Sequence, residues 1–133
     1  MASRDVMQVL SHDPVLGHIT TFGGHPVSCA AGIATLRKVR REDLSGRASH
    51  LEKLISSRIA HPAIREASGI GVMWALRLES PEKVLAAVQK GMERGILVDW
   101  FLNAADCIRL APPLVISEAE LEEGLSVLLS CLD

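Results

Sequence analysis

Two threonines and two glycines stand directly ahead of a proline in Ile19-Thr20-Thr21-Phe22-Gly23-Gly24-His25-Pro26. Pro26 suits the first turn of a helix, where its missing N–H costs nothing. The N-terminus of a helix carries unpaired N–H groups and positive partial charge, so anions bind there. Glycines let a backbone approach closely, and the hydroxyls of Thr20 and Thr21 can donate to phosphate oxygens. The same residues also make an ordinary tight turn with threonine caps. A Walker loop is excluded, because no Gly-Lys-Thr/Ser follows. A second candidate is Arg109 in Cys107-Ile108-Arg109-Leu110-Ala111-Pro112-Pro113, one charge within an apolar run. A guanidinium buried there needs a partner, and its planar fork suits a carboxylate gripped by two parallel hydrogen bonds. That partner is an internal acid or a ligand. Arg77, between Leu76 and Leu78, is a weaker candidate that a solvent-facing strand position explains.

Other chemistry-bearing residues form no pattern. His12, His18, His25, His50 and His61 show no i, i+4 spacing and no ligand set with acidic residues, so no metal site is expected. Cys29, Cys107 and Cys131 lack a Cys-x-x-Cys spacing and read as reduced, small hydrophobic side chains. Gly69-Ile70-Gly71 lacks the third glycine of a dinucleotide fingerprint and precedes a strand, not a helix.

The elements that must position these residues follow from periodicity. Ser3 caps a short helix through about Leu10, which His12-Asp13-Pro14 breaks. From His12 to His25 no period is clear. A helix from Pro26 to Arg41 follows, with small residues over its first half that predict tight burial. Its basic end, Arg37, Lys38, Arg40 and Arg41, opposes the negative end of the dipole. A helix over Leu44–Ala60 carries Leu51, Leu54, Ile55 and Ile59, and Pro62 stops it. Alternation predicts a half-buried strand over Ile70–Leu78. Ser80-Pro81 opens a helix with Val84, Leu85, Val88 and Met92 as its apolar stripe, closed by Gly95. Ile96–Trp100 and Ile108–Ala111 read as strands. Ser117 and Glu120 form a capping box ahead of Leu121, Leu125, Leu128, Leu129 and Leu132. Residues 43–133 therefore read as an α+β domain, a short sheet covered by helices, preceded by a long connecting helix within residues 1–42.

The 133 residues carry 14 Lys+Arg against 16 Asp+Glu, a formal net charge of -2, with 48% hydrophobic and 3% aromatic residues. One domain, or one plus an appendage, fits that length. The balanced charge and the near absence of stacking rings exclude a nucleic-acid platform. No apolar run is long enough to span a membrane, so a cytoplasmic protein is expected.

Taken together, Gly17-His18-Ile19-Thr20-Thr21-Phe22-Gly23-Gly24-His25-Pro26, Ala30-Ala31 and Ile108-Arg109-Leu110-Ala111-Pro112-Pro113-Leu114 resemble the class III aminotransferases. These are pyridoxal-phosphate-dependent enzymes of fold type I, among them ornithine, acetylornithine and 4-aminobutyrate aminotransferases. The resemblance runs from Met1 to Asp133 and covers the family's C-terminal third. It implies that residues 1–42 are an interface loop and connecting helix belonging to the large domain, and that 43–133 are the small C-terminal domain. It implies that Thr20 and Thr21 bind the cofactor phosphate of the neighbouring subunit, so that the Gly-Thr loop sits in a homodimer interface. Arg109 would clamp the carboxylate of an amino acid or 2-oxo acid substrate. His25 departs from the family's usual asparagine. The family's Schiff-base lysine lies upstream of Met1, and Lys38, Lys53, Lys83 and Lys90 match none of its motif. No catalytic residue is therefore expected within the chain, which alone is expected to be inactive. The other function class compatible with these residues is a non-enzymatic α+β module, derived from that family, that binds a partner or a carboxylate.

Overall fold

The computed structural model describes residues 3–9 and 20–133, which divide into two compact units, Met1–Arg41 and Glu42–Asp133. In the first unit, helix α1 (Arg4–Gln8) starts where the Ser3 hydroxyl accepts the Val6 N–H at 3.4 Å. The expected end at Leu10, the Pro14 break and the irregular stretch up to Ile19 lie outside the described residues. Helix α2 (Pro26–Arg41) has the expected bounds, with Lys38, Arg40 and Arg41 in its last turn. It buries none of its residues, against the tight burial its small residues suggest.

The second unit begins with α3 (Leu44–Arg58), capped by Asp43, whose carboxylate accepts the Gly46 N–H. Strands β1 (Glu66–Ile70) and β2 (Met73–Arg77) form a hairpin, then come α4 (Pro81–Glu93), β3 (Asp99–Phe101), β4 (Ala104–Leu110) and α5 (Glu118–Ser130). The four strands make one antiparallel sheet in the order β1-β2-β4-β3. The fold is α+β. Buried side chains of α3, α4 and α5 meet Trp74 and Leu76 of β2 and Ile108 and Leu110 of β4 in a single core. Among the described residues no helix is long and apolar enough to cross a membrane.

Several local expectations are met. Gly95 closes α4 with φ +87°, and the Ser117–Glu120 capping box is complete in both directions. Other boundaries differ for physical reasons. The strand expected over Ile70–Leu78 is a turn followed by β2, because Gly71 takes φ +59° and reverses the chain. The sequence reading missed β1, an edge strand exposed along all five residues, whose pairing rather than its apolar content defines it. The strand placed at Ile96–Trp100 forms later, at Asp99–Phe101, and β4 starts at Ala104 instead of Ile108. On α4 the buried stripe is Val84, Ala87, Val88 and Gly91, and Leu85 and Met92 are exposed. Gly91 belongs to that stripe because a Cβ there would come within 3.2 Å of Ile96.

Candidate functional site

The Thr-Gly turn owes its shape to its two glycines. Thr20 Oγ1 lies where a Cβ on Gly23 would stand, only 2.2 Å from it, so a side chain at 23 and the Thr20 rotamer exclude each other. Gly24 takes φ +77°, the left-handed region that side chains disfavour. The turn is closed by Gly23 N–H donating to Thr20 O at 3.3 Å and His25 N–H donating to Phe22 O at 3.1 Å. The His25 carbonyl then accepts the Cys29 N–H and opens α2. His25 Nδ1 also accepts the Val27 N–H at 3.3 Å, the capping bond that an asparagine side chain makes from the same position. The departure from asparagine at 25 thus leaves the helix start capped. Thr20 and Thr21 are exposed at this helix start, and the first turn of α2 contains no acidic residue. Hydroxyl donors, a positive dipole end and no competing carboxylate fit a phosphate.

Arg109 belongs to the second unit. Alternation along β4 sends Ile108 and Leu110 into the core and Arg109 to the opposite face of the sheet. Its side chain is 43% exposed, which corrects the expectation of a buried guanidinium. A partner is present nonetheless. Asp99, directly across the ladder on β3, accepts from Arg109 NH2 at 2.7 Å. Asp99 Oδ1 in turn accepts the Trp100 N–H at 2.8 Å. Ala75 is the cross-strand neighbour on β2, and its small side chain leaves the guanidinium room. Arg109 and Asp99 border a cavity of about 550 Å³ walled by Leu97, Leu110, Pro113, Leu121 and Leu125, and on its own face of the sheet Arg109 also lines a hollow of about 500 Å³ with Ala75, Arg77, Phe101 and Cys107. Asp99 escaped the sequence reading, although it is the lone acid in Ile96-Leu97-Val98-Asp99-Trp100-Phe101, the same signal that marked Arg109.

Arg77 sits one ladder step from Arg109 on the same face and bonds Asp106 and, at 3.3 Å, Glu66. Hydrogen bonding to Asp106 and its charge push the Arg77 pKa up. Burial works against ionisation of Asp106, but the Arg77 hydrogen bond and charge outweigh it and hold that carboxyl below its usual range. Both partners of Arg77 are internal, so the weaker reading of it as a strand-face residue stands. Cys107 and Cys131 are buried thiols and Cys29 is exposed. Burial, with the Asp106 charge, pushes the Cys107 thiol up, away from the thiolate form that reacts.

The second unit carries a half-exposed arginine at the rim of an apolar cavity, and the first unit carries a Thr-Gly turn compatible with a phosphate. The chain belongs to the class III aminotransferases, whose family model matches residues 1–132. It is similar to the acetylornithine aminotransferase of Mycolicibacterium smegmatis, 36% identical over 119 residues that cover 87% of this chain and 30% of that protein. It is also similar to the 4-aminobutyrate aminotransferase of Mycobacterium leprae, 34% identical over 136 residues, 91% of this chain and 30% of that one. Among solved structures, the ornithine aminotransferase of Toxoplasma gondii superposes with a TM-score of 0.74 at 29% identity, covering 99% of this chain and 32% of the other. Pyridoxal phosphate partly occupies the active site of that structure. The chain therefore spans about three-tenths of the length of the relatives it matches.

Proposed function

We propose that this chain is the C-terminal part of a pyridoxal-phosphate-dependent aminotransferase that moves an amino group from an amino acid or ω-amine to a 2-oxo acid. The observation that carries the reading is Arg109, held on a sheet face at the rim of an apolar cavity with most of its fork unspent. One guanidinium nitrogen is tied to Asp99, and the remaining donors suit a substrate carboxylate. Thr20 and Thr21 donate their hydroxyls to the cofactor phosphate of a neighbouring subunit, which makes a homodimer the working form. The chemistry that pyridoxal phosphate supplies when bound is an electron sink for the substrate carbon. The residues of this chain orient: Arg109 fixes the carboxylate end of the substrate, and the Thr-Gly turn fixes the phosphate.

Family membership supports the reaction class, and the hydroxyl turn and half-exposed arginine fit its two anions. None of Lys38, Lys53, Lys83 and Lys90 matches the lysine that carries the cofactor, so the chain by itself performs no transamination. The proposed setting is the cytoplasm. Purified 133-residue chain given ornithine, acetylornithine or 4-aminobutyrate with 2-oxoglutarate and pyridoxal phosphate should form no glutamate; sustained turnover would overturn the assignment of catalysis to upstream residues. An immunoblot of source-cell extract should detect a product several-fold larger than the 14.3 kDa of this chain. A product of 14.3 kDa would favour the carboxylate-binding module instead.

A further inference from the structure

Ala75 stands directly across the ladder from Arg109, on the side away from Asp99. Opposed residues of an antiparallel pair hold their Cβ atoms about 4.5–5.5 Å apart, so whatever stands at 75 reaches the arginine. A methyl group reaches least, and beside it opens the hollow of about 500 Å³ that Ala75 and Arg109 line together. Ala104, Phe101 and Arg77 also line it. The two arginines differ in what they can still offer. Arg77 is bonded through Nε to Glu66 at 3.3 Å and through NH1 to Asp106, whereas Arg109 engages only NH2, with Asp99. Arg77 thus faces two carboxylates and Arg109 one, and Nε and NH1 of Arg109 are left for an anion entering the hollow. The helix-side cavity suits them less. Its walls include Leu110, Leu121 and Leu125, which belong to the core, whereas alternation turns the Arg109 side chain to the other face.

We infer that Ala75 determines the specificity of this site: its methyl leaves the space for the carbon next to a ligand's carboxylate while that carboxylate meets Nε and NH1 of Arg109. The body of the ligand then lies in the outer hollow and not in the helix-side cavity. The inference rests on reading Arg109 as a carboxylate clamp. It applies equally to an amino acid and a 2-oxo acid, because Ala75 meets the carbon skeleton and not the group it carries.

The test is a titration of the 15N-labelled 133-residue chain with formate and with pivalate, following the Arg109 Nε–Hε resonance, assigned by its loss in Arg109→Lys. Formate has no carbon beside its carboxylate, and pivalate has a fully branched one. Both should move the resonance in the wild type. Valine suits a strand, and Ala75→Val should weaken pivalate about fivefold, the scale of one exposed charge pair lost outright, while leaving formate within about twofold. Ala75→Ser, close to alanine in size, should bind both anions as the wild type does. Gly124 lines the helix-side cavity and has open space where a Cβ would stand, so Gly124→Leu fills that cavity and should change neither affinity. Equal weakening of the two anions by Ala75→Val, or none, would overturn the inference. So would loss of pivalate binding in Gly124→Leu, or a wild type that binds formate alone. If Ala75→Val does not fold, the wild-type and Gly124→Leu titrations decide by themselves. A resonance unmoved by both anions would overturn the clamp itself, whereas the other adverse results would overturn only the role of Ala75.

Discussion

Arg47 on α3 donates through Nε to the main-chain carbonyl of Leu114 at 2.8 Å, and its NH2 donates to the carbonyl of Ile116. One partly buried guanidinium thus ties α3 to the segment that carries the chain from Arg109 to α5. Pro112 and Pro113 lack N–H groups and cannot extend the ladder of β4. The course of this connection, which walls the cavity beside Arg109, is set by Arg47 together with a turn in which the Ile116 N–H donates to Pro113 O at 3.0 Å.

Replacing Arg47 by Ala should leave two carbonyls without their partner and lower stability by about 1–3 kcal/mol. Arg47→Lys should recover only part of it, because a point charge cannot serve two carbonyls as a fork does. Urea denaturation of the three proteins measures this, and amide shifts concentrated in residues 111–117 should accompany the loss. An unchanged unfolding midpoint in Arg47→Ala would show that the proline segment holds its own course.

Gly69 lies under the indole of Trp74, its ladder partner, and an added Cβ would come within 2.4 Å of the ring. The indole cannot yield easily, since its N–H donates to Gly71 O at 3.0 Å and its ring is buried in the core. Gly69→Ala should cost about 1–3 kcal/mol, the range for overpacking. Trp74 supplies a direct readout, because its fluorescence should shift to longer wavelength as the ring is displaced toward water.

Acid should weaken the second unit. Asp106, through Arg77, and Glu120, through the Ser117 side chain and backbone, are held below their ordinary values of 3.8 and 4.5. A carboxyl whose pKa is lower in the folded state than in the unfolded state stabilises the fold above the unfolded pKa. That contribution is lost as pH falls through the folded value. The urea midpoint should therefore hold steady from about pH 7 to about pH 5 and decline below about pH 4. Asp106→Asn combined with Glu120→Gln should flatten the decline. A midpoint that rises on acidification would contradict the two assignments.

Features written in adjacent residues were legible without coordinates: the proline start of α2, the left-handed close of α4 at Gly95, and the Ser117–Glu120 box. Each is decided within one helical turn, so local sequence suffices. Features decided by a partner strand were not. Glu66-Ala67-Ser68-Gly69-Ile70 has one large apolar residue, and only its ladder with Met73–Arg77 makes it a strand. The exposure of Arg109 was in fact legible, because Ile108 and Leu110 facing the core turn the residue between them outward. Counting flanking apolar residues concealed what period-two alternation reveals. Asp99 needed register: its importance lies in standing opposite Arg109 on the neighbouring strand.

The strand order β1-β2-β4-β3 also bears on how the second unit is assembled in time. Its two outer pairings, β1 with β2 and β3 with β4, are hairpins between neighbours in sequence and can close within microseconds. The central pairing of β2 with β4 joins segments separated by α4 and β3, so its loop-closure entropy is spent before the core rewards it. Leu76 and Ile108, fully buried opposite each other across that seam, are where two preformed halves would have to meet. Shortening Ile108 should therefore slow folding, whereas changes in the β1–β2 turn should act mainly on the rate of unfolding.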